Sequence, residues 1–395
     1  MNTKRRLSLM NAKHRLSIAI IHLMVIVLLI FSLQACTLPQ TGQPPQQLPE
    51  EPTKQKEMIP EIALGQMYYR IPLPYQVGSG KPSYDKSIFP ARIDTTRLEL
   101  GMMEIAQKTF PVDRFAMQEG QLLSQDDIRD WLATYDTNKN TLGLNDPDYT
   151  KPPLIYLMER DFLAVDTGEL AGVGITLAFR PNPQIVLKDA QGAPVLDEEG
   201  RKKTETKNLT DEELIALARS AGDKINQRLV ERGVHVPVLF AGFVSEPNST
   251  LLPGRFFVKG VDTSGDGHGI KWEDFNERYI LFPGNKAKTD NEKRMEATFT
   301  SFSQGVETFF SQYTGVIGLV RLVNDTPIEW TFTITADYRS KTQILALLET
   351  IAELDRSILS QSMDVSVYVQ SIDRLQGLYV RGAGQEPFYH LYRNQ

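Results

Sequence analysis

Two stretches of this chain repeat one another at a constant spacing, and this limits its possible folds more than any other feature. Thr210-Asp-Glu-Glu213 opens a helical run with Leu214, Leu217, Ala218, Ala221 and Ile225 on one face, ended by Gly233. Ser340-Lys-Thr-Gln343 opens another 130 residues later, with Ile344, Leu347, Leu348, Ile351 and Leu354 as its apolar face. Both starts are capping boxes, in which a hydroxyl accepts from a first-turn N–H and a Glu or Gln reaches back. An alternating strand follows each helix, Val234–Phe240 and Val365–Val369, and each unit closes on a similar edge, Phe256–Gly260 and Leu378–Gly382.

The likeness extends upstream. Ile175–Phe179 corresponds to Phe332–Ala336, and helix Leu98–Phe110 with strand Ala116–Leu123 corresponds to helix Met295–Phe310 with strand Val316–Val323. Each unit therefore reads helix–strand–strand–helix–strand–strand. Neighbouring strand pairs, rather than strict strand–helix alternation, predict an α+β fold of two tandem duplicated repeats with largely antiparallel sheets. The first repeat spans residues 58–260, a connector 261–289, and the second repeat 290–395. Repeat one carries an extra amphipathic helix, Gln125–Asp136 with Trp131, and a projecting hairpin within Pro181–Lys207 that turns at Gln191-Gly192.

Composition narrows the function. The 395 residues are 41% apolar and 23% charged, an ordinary globular balance. A formal charge of -6 gives no basic face for nucleic acid. A single cysteine excludes a disulfide framework or a thiolate zinc site within one chain.

That cysteine is placed tellingly. Residues 1–17 carry Lys4, Arg5, Arg6, Lys13 and Arg15 and no acid; an apolar run, Ile18–Ala35, leads to Cys36. A positive segment, an apolar segment and a small residue at the boundary make a secretory signal. Leu33-Gln34-Ala35-Cys36 resembles a bacterial lipobox, with cleavage between Ala35 and Cys36 and a lipid on Cys36. Met10 is an alternative start that keeps Lys13 and Arg15. An uncleaved anchor is the competing reading, since 18 residues just span a bilayer, but it leaves the position of the only cysteine unexplained. Cleavage removes five positive charges, so the mature chain carries -11 rather than -6. Such a chain needs its lipid to stay on an anionic membrane. Residues 37–57, rich in Pro and Gln, read as a semi-rigid tether.

Gln118-Glu-Gly-Gln121 leading into Trp131-Leu132, and Ile270-Lys-Trp-Glu273 leading into Tyr279–Pro283, combine with the lipobox and the duplicated units. In these the chain resembles the CamS family, the sex-pheromone lipoprotein precursors of Gram-positive bacteria. The resemblance implies that signal peptidase and a membrane protease release a short apolar peptide, which a pheromone receptor on recipient cells senses to induce conjugation. The corresponding heptapeptide is Leu29, Ile30, Phe31, Ser32, Leu33, Gln34 and Ala35. The mature repeats receive no chemistry from the resemblance. A binding or structural role is expected of them, with capture of a small molecule or peptide between the repeats as the alternative.

No cofactor and no catalytic site are expected. Asp262, Ser264, Asp266, Gly267 and Glu273 fall at positions 1, 3, 5, 6 and 12 of a calcium-loop pattern. The flanking elements are wrong for one, Gly269 stands at the usual apolar eighth position, and a solvated connector is the favoured reading. Gly78-Ser-Gly-Lys81 fails as a phosphate loop, because Pro82 follows and Tyr75 replaces the required glycine. His235, His268 and His390 are in no metal spacing; His235, alternating with valines, reads as a strand residue. No Gly-x-Ser-x-Gly elbow is present. Tyr68, Tyr69, Tyr75 and Tyr84, interleaved with prolines, read as a segment packed across the sheet.

Overall fold

The computed structural model describes residues 68–80, 93–246, 251–284, 287–309, 315–335, 340–371 and 374–393. The chain divides into two compact units, Met1–Lys56 and Glu57–Gln395, and every described residue lies in the second. The described residues form five helices and fifteen strands.

The first sheet has six strands in the order β1 (Phe115–Glu119), β3 (Leu154–Ala164), β4 (Leu170–Phe179), β7 (Val238–Val244), β8 (Arg255–Asp262) and β9 (Lys271–Asp274). Helix α1 (Thr95–Ala106) covers one face and α3 (Asp211–Glu231) the other. The alternation along β4 sets this up. Val173, Ile175, Leu177 and Phe179 pack with Leu214, Ala218 and Ile225 of α3. Ala178, on the opposite face, packs with Leu98, Met102 and Ile105 of α1.

The second sheet also has six strands: β10 (Glu277–Phe282), β11 (Gly315–Val323), β12 (Thr326–Thr335), β13 (Asp364–Gln370), β14 (Leu375–Arg381) and β15 (Phe388–Leu391). Helices α4 (Asp290–Phe309) and α5 (Lys341–Ile358) join one face in a single core around Trp330, Phe332 and Phe302. Trp330 stacks on Phe332 at 4.9 Å between ring centroids, and Phe302 stacks on Phe332 at 4.0 Å. Such pairs add roughly 0.5–1.5 kcal/mol each beyond the area they bury.

Both sheets share one set of pairings. In each, an antiparallel hairpin (β3–β4, β11–β12) is followed by a crossover helix and a parallel strand (β7, β13), then an antiparallel partner (β8, β14). All other pairs in these two sheets are antiparallel, so the α+β class with largely antiparallel sheets stands as expected. The upstream correspondence changes. β11 matches β3 by position, whereas β1 occupies the edge that β10 occupies in the second sheet, although β1 follows its helix and β10 precedes α4.

Local chemistry explains the boundaries. Thr210 caps α3 through a reciprocal box with Glu213, and the Ser340 hydroxyl accepts from the Gln343 amide at the start of α5. Helix α2 (Gln125–Leu132) is shorter than its apolar pattern and carries its own box, Ser124 with Asp127. The strand expected from Val234 starts only at Val238, because Pro237 has no N–H to give a ladder. His235 therefore lies outside the strand and is exposed. Within 181–207 the pairing differs from the expected hairpin: β5 (Gln184–Val186) lies between β6 (Thr204–Thr206) and β2 (Tyr149–Lys151) in a small third sheet, and the turn at Gln191-Gly192 is flanked by a single bridge, Lys188 with Pro194. The 261–289 segment is more than a connector: it contains β9 and β10, the facing edges of the two large sheets.

Candidate functional site

Two buried carboxyls whose pKa values are both raised lie on β3. Glu159 and Asp161 project to the same face and are 5% and 1% exposed. The two Glu159 oxygens accept from the Leu122 and Leu123 amides at 2.9 and 2.8 Å, and Asp161 accepts from the Gln121 amide at 2.9 Å. The Gln118–Gln121 motif thus wraps a carboxyl pair. A Cβ at position 120 would lie 2.4 Å from the Glu159 side chain, so only glycine lets the backbone come this close. Burial, and then the like charge of Asp161, push Glu159 up to about 8; burial also raises Asp161, against the hydrogen bonds it accepts. At neutral pH the pair keeps a proton.

A strap of residues 73–80 lies over this motif. The Tyr75 hydroxyl and the Gly78 amide both donate to Glu119 at 2.6 Å, and the Ser79 amide donates to the Gly120 carbonyl at 2.9 Å. Tyr69, as the packed-segment reading expects, is buried, with its hydroxyl donating to the Phe110 carbonyl at 2.6 Å; Tyr68 and Tyr75 are exposed, and Tyr84 lies outside the described residues. Beneath the strap a cavity of about 80 Å³ touches Gly80, Glu99, Ile128, Tyr156 and Glu159. Both Glu159 oxygens already serve backbone donors.

A second cluster ties the two sheets together. Glu277 at the start of β10 is buried and accepts from Arg97 of α1, from Arg321 Nε of β11 at 2.6 Å, and from the Phe256 amide of β8 at 2.8 Å. Glu104 of α1 pairs with Arg97 at 3.3 Å and also with Arg321, whose third partner is Glu329 at 3.5 Å. Burial alone lowers the Arg321 pKa, yet the surrounding carboxylates outweigh it and hold the guanidinium charged.

In the segment with the calcium-loop pattern, the side chain at the first position turns inward. Asp262 is 1% exposed. Its oxygens accept from Ser264 N and Oγ, Gly265 N, Gly267 N and Asn226 Nδ2, at 2.7–3.1 Å. Burial raises its pKa, but these donors prevail and hold the carboxyl below its ordinary range. No lone pair is left for a cation. Asp266 accepts instead from the His268 amide, and Glu273 lies 3.5 Å from Lys259. Asp262→Ala should cost about 2–3 kcal/mol by orphaning buried amides, while calcium or a chelator leaves the wild-type melting temperature in place. A calcium-dependent rise in Tm would restore the metal reading.

Cys36, Ala35 and the Leu29–Ala35 peptide lie outside the described residues. Among the described residues no helix is long and apolar enough to cross a membrane, and no group of three or more His, Cys, Asp or Glu is placed to hold a metal. Glu159, Asp161 and Glu277 escape a reading of sequence alone because their partners are 21 to 180 residues away along the chain.

The family model described as CamS sex pheromone cAM373 precursor matches residues 79–387. Among solved structures, the chain is similar to a sex pheromone precursor from Lactobacillus salivarius subsp. salivarius, with 22% identity, 84% of this chain and 98% of that chain covered, and a TM-score of 0.70. It is similar also to the C-terminal domain of the sex pheromone staph-cAM373 precursor from Staphylococcus aureus, with 20% identity, 76% and 96% covered, and a TM-score of 0.62. No curated protein matches significantly in sequence.

Proposed function

The chain belongs to the CamS sex pheromone cAM373 precursor family, and on that premise we propose that it is a lipid-anchored surface precursor whose leader yields the peptide Leu29–Ala35. One observation carries this reading. The only cysteine closes a positively charged, apolar leader behind a small residue, and the family match begins well after it, at residue 79. Signal peptidase cuts before Cys36, the lipid on Cys36 holds the acidic mature chain at the extracytoplasmic face of the membrane, and a membrane protease trims the leader. The freed heptapeptide, apolar apart from Ser32 and Gln34, is the ligand of a receptor on plasmid-bearing recipients.

The body then serves as a stable, non-catalytic carrier. Support comes from its buried charges, which are engaged by backbone amides or by one another: Glu159 with Leu122 and Leu123, Glu277 with Arg97 and Arg321, and Asp355 with Arg381 at 2.6 Å. The alternative, a ligand held between the two halves, meets a junction filled by the Glu277 cluster.

Targeted mass spectrometry of culture supernatant tests the reading. Leu29–Ala35 should be present with the wild-type strain and absent from a deletion strain. Cys36→Ala should send the mature chain into the medium. Normal membrane retention of that variant, with no peptide in the supernatant, would replace the lipoprotein precursor by an uncleaved anchor.

A further inference from the structure

The segment that imitates a calcium loop builds something else. Asp262 holds residues 263–270 from inside, and Gly265, Gly267 and Gly269 take φ of +65°, +82° and +77°, so this loop is fixed in shape by the backbone. Gly267 packs on Val230 and Gln227 of α3, which brings the loop down on the exposed side of that helix. Between helix and loop is an open concavity of about 350 Å³, bordered by Arg219, Asp223 and Gln227 on one side and by His268, Ile270 and Trp272 on the other.

Trp272 is seated there by two residues that lack a side chain. A Cβ on Gly222 of α3 would lie 2.8 Å from its ring, and one on Gly260 of β8 would lie 2.5 Å from it. The indole is half-buried, with Phe240 beneath it at 6.0 Å between centroids. Arg219, Asp223 and Gln227 recur every four residues along α3 and form one exposed row. The side chains of Asp223, Gln227 and His268 have no hydrogen-bond partner among the described residues, and Arg219 has only Asp274 at 3.9 Å. Guanidinium and carboxylate cancel in charge, which disfavours an ionic ligand. The row offers donors and acceptors side by side above an aromatic surface. Adjacent hydroxyls on an otherwise C–H-faced ring are the chemistry that fits both.

We propose that this concavity is a carbohydrate subsite, in which one neutral sugar ring lies against Trp272 and its hydroxyls bond Asp223, Gln227, Arg219 and His268. The site lies between α3 and the segment 267–272, and it makes the carrier a binder of glycan. It does not depend on release of the leader peptide.

Intrinsic fluorescence tests it on the purified chain, because Trp131 and Trp330 are 0% and 1% exposed and Trp272 is the tryptophan that meets solvent. Titration with N-acetylglucosamine, its β-1,4-linked tetramer and glucose should give a saturable change with at least one sugar, at a dissociation constant on the order of 1 mM. Asp223→Ala and Gln227→Ala, both at exposed positions, should each weaken binding about tenfold while the melting temperature holds. A tetramer that binds more tightly than the monosaccharide identifies a glycan strand as the source; equal binding identifies a free sugar. No saturable change with any of the three, or a change that both variants leave intact, overturns the proposal.

Discussion

Replacing Glu277 with alanine is expected to cost about 3–5 kcal/mol, the range for removing one member of a buried ion cluster. The loss is large because three donors from other elements depend on this carboxylate, namely Arg97, Arg321 and the Phe256 amide. Arg97 and Arg321 side chains are 11% and 9% exposed, so water cannot take over fully. These partners come from α1, β11 and β8, on both sides of the junction between the sheets. The variant should therefore also lose cooperativity. Urea denaturation followed by fluorescence should split into two transitions, with a sheet assigned to each by Trp131 and Trp330. A single transition with a loss under about 1 kcal/mol would mean that the cluster is electrostatically idle.

The second large effect is a dependence on pH. Glu159 has a folded pKa raised above its unfolded value, to about 8, by burial and by Asp161. The folded state then binds the proton more tightly. Its stabilising contribution is complete below the unfolded pKa of the carboxyl and is lost as pH rises through about 8. Stability should fall by on the order of 3 kcal/mol between about pH 5 and pH 9. Asp262 works in the opposite direction: its depressed carboxyl contributes above its unfolded pKa and loses that contribution on strong acidification. Asp161→Asn should flatten the alkaline fall, because an amide at the unpartnered Asp161 Oδ1 position can donate where a second carboxylate repels. Chemical denaturation at a series of pH values measures both; an unchanged slope in the variant would remove the carboxyl pair as its cause.

What could be read from the sequence was what local chemistry decides. Thr210 and Ser340 cap helices where the spacing places them, and β13 and β14 contain the strands expected at Val365–Val369 and from Leu378. β3 went unread, although it is an eleven-residue strand at the heart of the first sheet. Glu159, Arg160 and Asp161 interrupt its apolar run, and nothing local reveals that amides from Gln121 to Leu123 await the two carboxyls. The calcium pattern illustrates a related limit of spacing. Spacing specifies which residues can become ligands, but only the fold decides whether Asp262 faces outward to a cation or inward to its own loop. Gln118–Gln121 was legible as a family mark, and its physical meaning, a glycine pressed on a buried acid, appeared only with β3 in place.

The matching connections of the two sheets differ greatly in length. From Phe179 to Asp211 the chain inserts 31 residues, including β5 and β6, between a strand and its crossover helix; from Thr335 to Lys341 the same step takes five. After either span a hydroxyl, Thr210 or Ser340, caps the start of the helix by accepting from the amide three residues on. For protein engineering this marks a splice port. An epitope or reporter grafted between Thr335 and Ser340 would enter where the first half already carries a long passenger, upstream of a helix that sets its own beginning.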